Sequence, residues 1–199
     1  MMHEMLHTCE LSTNTKTMNN LDAENIVFRN LKLESKNCAI VPNATMEFKK
    51  CFVVFFQSKQ YLETGKLNQM LIGDGGVIVD KESGLIFSTG SVYTVERYVE
   101  AYEAIGDPYA EKSEIISVFQ CTNKTNTTDV TKYLHAKLSI GIAKAKEYVD
   151  SVVCGKKIEL NCKEPEMAIE ISQFLNNHGF LAKQFWKSSN NVIRECSQN

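Results

Sequence analysis

The chain has 199 residues, with 22 Lys and Arg against 24 Asp and Glu, a formal net charge of −2. No Lys/Arg-rich block occurs, which argues against nucleic acid as a partner, and no apolar run approaches the ~18 residues of a membrane span. The seven cysteines are scattered and form no CxxC pair, and "MMHEMLHTCELSTNTK" has neither an early basic residue nor an apolar centre. Reduced thiols in a cytoplasmic protein are therefore expected.

Residues 8–20 are polar and turn-rich. Next, apolar residues at 21, 27, 28 and 31 behind a capping Asn20 predict a helix, with a strand as the alternative because Val27 and Phe28 are β-formers. "AIVPNATMEFKK" reads as a short strand and a Pro-Asn turn. "CFVVFFQS", residues 51–58, is aromatic and β-branched, which predicts one strand buried on both faces. "QYLETGKLNQMLIG" reads as a connector with a short helical turn. In "LIGDGGVIVDKESGLIFSTG", Gly75-Gly76 is expected to turn tightly into Val77–Val79, with "DKESG" as a hairpin loop, Gly84 left-handed and "LIFSTG" returning antiparallel.

Thr94 is placed to cap a helix in which Val95, Tyr98, Val99, Tyr102 and Ile105 share a face and Gly106 ends the run. Glu96, Arg97, Glu100 and Glu103 line its other face. "GDPYAEKS", residues 106–113, has the composition of a domain boundary. Beyond it come a strand "SEIISVFQC", a helix capped by Asp129 and ending near Leu138, and a second helix capped by Ser139. That helix aligns Ile142, Ala145, Val149 and Val152. A strand "GKKIELNC", a helix opened by Pro165 and closed at Gly179, and a last strand "FLAKQFW" complete a β-α-α-β-α-β unit.

Catalytic motifs are weak. His3-Glu4-Met5-Leu6-His7 fits H-E-x-x-H, which places two His on one helical face with a Glu base. A catalytic zinc also needs a third ligand and supporting groups, and the remaining histidines are His135 and His178. A zinc metallopeptidase is thus only an alternative. Gly73-Asp-Gly-Gly76 is followed by a strand rather than a helix, and no Gly-Lys-Ser/Thr follows, so it fits neither phosphate-binding loop. There is no G-x-S-x-G. No catalytic residue, metal or cofactor is expected. The row Glu96, Glu100 and Glu103 reads either as a solvated face or as an acidic patch for a basic partner.

The segment from Ala39 to Glu103 resembles the immunity protein 35 family, also called the YrhB-like domain. The resemblance lies in "FVVFFQSKQYLETG", in the hairpin "LIGDGGVIVDKESG" and in "STGS" leading to "YVEAYE". The family usually has Gly-Trp where this chain has Cys51-Phe52, and Pro where it has Gly76. The resemblance implies a non-enzymatic protein that binds and neutralises a cognate toxin of a bacterial toxin system. The toxin-contact candidates are Asp74, Glu96, Glu100 and Glu103, with Tyr61, Tyr93 and Tyr98 as aromatic anchors. "SIGIAKAKEYVD" and "EMAIEISQFLNNHGFLAKQF" are similar to the C-terminal domain of the bacterial ribosomal stalk protein, which implies translation factors as a second possible partner through Gly141 and Lys146. The expected organisation is an α+β chain of two small domains. Residues 1–20 form a tail and 21–106 an immunity protein 35-like antiparallel sheet with helices. Residues 111–187 form the stalk-like unit and 188–199 a second tail.

Overall fold

In the computed structural model, which describes residues 17–122, 125–190 and 193–194, helix α1 runs over Asn20–Asn30. Its cap is Asn19, not Asn20. The Asn19 side chain accepts from the Asp22 amide at 2.9 Å while the Asp22 carboxylate accepts from the Asn19 amide at 3.2 Å. This reciprocal box requires an acid three residues after the cap, and only Asn19 has one. Ala23 and Val27, one turn apart, are the residues α1 buries.

The chain's described residues divide into two units, one ending at Ser88 and one beginning at Thr89. The segment 106–113 lies inside the second. In the first, β2 (Met46–Glu47), β3 (Cys51–Val54), β5 (Asp74–Asp80) and β6 (Ile86–Gly90, whose last two residues fall beyond Ser88) form a sheet in the order β2-β3-β5-β6. Strands β1 (Cys38–Ile40) and β4 (Phe56–Ser58) pair antiparallel in a sheet of their own. The expected single strand at 51–58 is therefore two. All four residues of β3 are buried, whereas β4 is half-buried and belongs to the other sheet. Uniform hydrophobicity reports burial and says nothing about pairing partner, so the change of sheet at Phe55 left no mark in composition.

The glycine stretch also differs from expectation. Gly75 and Gly76 lie within β5, and the left-handed residue is Gly73, at φ +91°. Gly76 is small for packing: a Cβ there would stand 2.3 Å from Val53 Cγ1. Gly84 does take the left-handed conformation, at φ +70°, and a loop of five residues joins β5 to β6 as antiparallel neighbours. The core of this unit gathers Ala23, Val27, Leu33, Phe52, Val54, Val77 and Val79. Helix α2 (Lys59–Thr64) and a 3-10 turn at Leu67–Gln69 follow β4. Their loop is tied by Gln57, whose amide donates to the Leu71 carbonyl and whose side-chain carbonyl accepts from the Leu71 amide, at 3.0 and 2.8 Å.

In the second unit, α3 (Val95–Ile105) precedes β7 (Glu111–Cys121), α4 (Thr127–Leu138), α5 (Ile142–Val153), β8 (Ile158–Asn161), α6 (Pro165–Asn177) and β9 (Phe180–Lys187). The order β-α-α-β-α-β from β7 to β9 is present. A short β10 (Ile193–Arg194) pairs with β9, and the sheet order is β10-β9-β7-β8, antiparallel throughout. Ile116, Val118, Leu134, Val149, Leu160, Ile171, Leu175 and Phe180 form its core. Two caps move. Asn126, not Asp129, caps α4, its side chain accepting from the Asp129 amide at 3.2 Å. Ser139 closes α4 in a left-handed conformation, and Gly141 stands at the N-cap of α5. Both reflect how two helices three residues apart must turn: the connecting residue takes the left-handed state. Downstream of β9, the Ser189 amide and hydroxyl both donate to Asp107 at 2.8 Å.

Candidate protein-binding surface

Helix α3 is set by its ends. Thr94 Oγ1 accepts from the Arg97 amide at 3.3 Å, and Gly106 terminates the helix in the left-handed conformation, both as the sequence predicts. Tyr98, Val99, Ala101 and Tyr102 are its buried residues. Ala101, Ala110 and Trp186 make a small core around it. Two cations cover the Trp186 ring: Arg97, with Cζ 4.6 Å from the centroid, and Lys112, with Nζ 4.2 Å away. The second contact follows from register, since Lys112 pairs with Trp186 across β7 and β9. Arg97 also donates to the Ala110 carbonyl at 2.9 Å, and Lys112 pairs with Glu100 at 2.6 Å. The two basic groups beside α3 are thus held by the unit's own residues.

Three tyrosines stand beside this core. Tyr93 and Tyr98 meet edge to face at 5.6 Å, and Tyr98 and Tyr109 at 6.3 Å, the geometry that the ring quadrupole favours. The central ring, Tyr98, is 4% exposed, while Tyr93 and Tyr109 are each 43% exposed and Val92 79%. The Tyr93 hydroxyl donates to Glu111 at 3.4 Å. Burial raises the Tyr109 phenol above its ordinary range, with Tyr98 and Asp107 adding to the shift.

Of the residues singled out by sequence, Tyr93, Glu96, Tyr98, Glu100 and Glu103 come together on or beside α3. Glu96 is exposed, Glu103 half-buried, and Glu100 exposed but paired with Lys112. Tyr98 offers a partner almost no area. Asp74, exposed at the start of β5, and Tyr61, half-buried on α2, belong to the first unit. Gly141 is exposed, and Lys146 pairs with Asp150 one turn away. Lys132, Ile142, Lys146 and Asp150 line a groove of about 280 Å³. Sequence reasoning missed Tyr109, Glu111 and Trp186. Tyr109 sat in a segment read as a boundary, where an aromatic next to Pro108 was the available signal.

A cleft of about 420 Å³ runs beside α3, lined by Glu100, Lys112, Gln173, Asn176, Lys183 and Trp186 among others. Two of its amides, Asn176 and Gln184, are committed. Asn176 exchanges two hydrogen bonds with Ala182 at 3.0 Å, and Gln184 donates to the Ser113 and Pro165 carbonyls. His178 Nδ1 contacts the Phe174 carbonyl at 2.8 Å and stacks on that ring, and His135 Nδ1 contacts the Ile140 carbonyl. Among the described residues no group of three or more His, Cys, Asp or Glu could hold a metal, and no helix is long and apolar enough to cross a membrane. The His3-Glu4-Met5-Leu6-His7 motif lies outside the described residues.

These features define a small α+β protein whose most chemically distinctive face is aromatic and acidic. Residues 22–104 match the family model of immunity protein 35. The chain is also similar to the uncharacterized protein YrhB of Escherichia coli (strain K12), 31% identical over 71 residues, which is 36% of this chain and 76% of YrhB. The chain belongs to the immunity protein 35 family. No solved structure matches it. The matched residues include Tyr93 and α3 as far as Ala104, with Glu96 and Arg97, and exclude Tyr109, Glu111 and Trp186.

Proposed function

We propose that this protein is a bacterial immunity protein that binds a cognate toxin in the cytoplasm and neutralises it, without chemistry of its own, by occluding the toxin's active site. The observation that carries the reading is the match of residues 22–104 to immunity protein 35. The candidate contacts are Asp74 and Tyr61 in the first unit and Tyr93, Glu96, Glu100 and Glu103 at α3. Expression of the toxin domain captured from the native cell by this chain should arrest growth, and co-expression of this chain should restore it. Failure to restore growth, with no complex on size-exclusion chromatography, would sink the proposal.

A second reading is a module that engages the translation machinery through the stalk-like half. The groove with Lys132, Ile142 and Lys146 favours it. It requires co-sedimentation with ribosomes or their GTPase factors, lost in Lys146→Glu.

A further inference from the structure

We infer that the toxin is gripped at the face formed by Tyr93, Tyr109 and Glu111, with Glu96 on the adjoining first turn of α3, and that the toxin's matching patch is basic, with a Lys or Arg side chain seated against the Tyr109 ring. This rests on the immunity reading above and adds the surface and the chemistry of the contact.

Charge is the first support. Residues 93–112 hold five acids and two bases, a net −3, while the whole chain carries −2. The rest of the molecule sums to +1, although residues 159–170, with four acids and one base, carry a net −3 of their own. The two bases of 93–112, Arg97 and Lys112, lie over Trp186 and are tied to Ala110 and Glu100, and Arg97 also lies over the Tyr93 ring, its Cζ 5.3 Å from the centroid. Glu96 and Glu111 remain on the exposed side. Such a field steers a basic partner and raises its association rate.

Rigidity is the second. Tyr93 and Tyr109 are half-exposed, yet both pack edge-on against the buried Tyr98. Rings held in this way lose little freedom on binding, which is why tyrosine dominates the centres of protein interfaces. A tyrosine face beside a carboxylate binds a cation through both the ring quadrupole and the ion pair. The competing surface is aliphatic: Leu67 and Ile72, at 73% and 84% exposure, in the first unit. Residues 59–73 carry two lysines and one glutamate, so nothing there would select a basic partner.

The test uses the full chain and an inactivated form of the toxin domain it captures from the native cell. Stopped-flow association is read at 50 mM and 300 mM salt, with the Kd from calorimetry. The wild-type rate should fall with salt. Combined Glu96→Lys and Glu111→Lys should slow association about tenfold or more at low salt and flatten the salt dependence. Tyr93→Ala and Tyr109→Ala should each raise the Kd on the order of 10- to 100-fold through the dissociation rate. The charge reversals sit at exposed positions, so a loss that tracks their melting temperature rather than the salt response would count against the inference. It is overturned if these variants bind like wild type, with loss in Leu67→Asp plus Ile72→Asp moving the contact to the first unit, or if association accelerates with salt. Absence of any complex with the wild-type chain overturns the immunity reading itself.

Discussion

Arg97 of α3 lies over the indole of Trp186 on β9, its Cζ 4.6 Å from the ring centroid, while its Nη2 donates to the Ala110 carbonyl. This one side chain ties the helix that carries the candidate binding face to the sheet beneath it. Trp186 is the only tryptophan of the chain and is 1% exposed, so its fluorescence reports the integrity of this packing. Trp186→Ala should cost about 3–5 kcal/mol, the range for a buried large aromatic. Arg97→Ala should cost about 1–2 kcal/mol, from a lost cation–π contact and an orphaned carbonyl. Urea unfolding measures both. An Arg97→Ala variant with the wild-type midpoint would show that the contact contributes nothing.

Gly76 offers a sharper steric prediction. An added Cβ would meet Val53 Cγ1 at 2.3 Å and Phe55 at 3.1 Å, in a strand whose neighbours are fully buried. Gly76→Ala should destabilise the first unit by about 1–3 kcal/mol, as overpacking does. Val53→Ala removes the closest methyl, so the double variant should be less destabilised than the two single losses added together. Simple additivity in chemical denaturation would refute the proposed clash.

The loop from α2 to β5 depends on Gln57, which satisfies both the amide and the carbonyl of Leu71. Gln57→Leu keeps the bulk and deletes both bonds. It should cost about 1–3 kcal/mol and speed amide exchange at 69–72 while β3 stays protected. Unchanged exchange in that loop would show that the side chain does not hold it.

Cysteine chemistry gives a pH prediction. Burial, reinforced by Glu114, pushes the Cys162 thiol from 9.0 up to about 11, whereas Cys154 is exposed. A thiol reagent at pH 8 should label Cys154 quickly and Cys162 only on unfolding. Because the folded pKa of Cys162 is raised, the unfolded chain releases its proton first. The stabilising difference is complete below about pH 9 and is lost as pH rises towards about 11. Cys162→Ala should flatten that alkaline decline; an identical decline in the variant would assign it to other groups.

Much of the architecture was legible locally. Thr94, Gly106, Pro165 and Gly84 perform the cap and turn roles their chemistry suggests, because each role is decided by a residue and its immediate neighbours. The family hairpin was legible for the same reason. Two N-caps lie one and three residues before the residues the sequence suggested. Asn19 displaced Asn20 and Asn126 displaced Asp129, since an N-cap side chain must reach the amide three residues on.

The candidate face was only half visible. The row Glu96, Glu100 and Glu103 could be read from helical spacing, and Tyr93 stood among the aromatic anchor candidates. That Glu100 is spent on Lys112 and that Tyr109 and Glu111 complete the face could not. These depend on strand register and on how α3 lies against β9, relations between residues far apart in the chain.

By itself, then, the sequence determined the α+β class, the β-α-α-β-α-β order, the family and the acidic character of α3, because periodicity, caps and net charge are properties of short segments. Only the tertiary structure decided which strands share a sheet, why Gly76 has no side chain, and which acids and rings of α3 still face outward. Those outcomes turn on pairing and packing across the chain, where a contact exists only once two distant segments have been brought together.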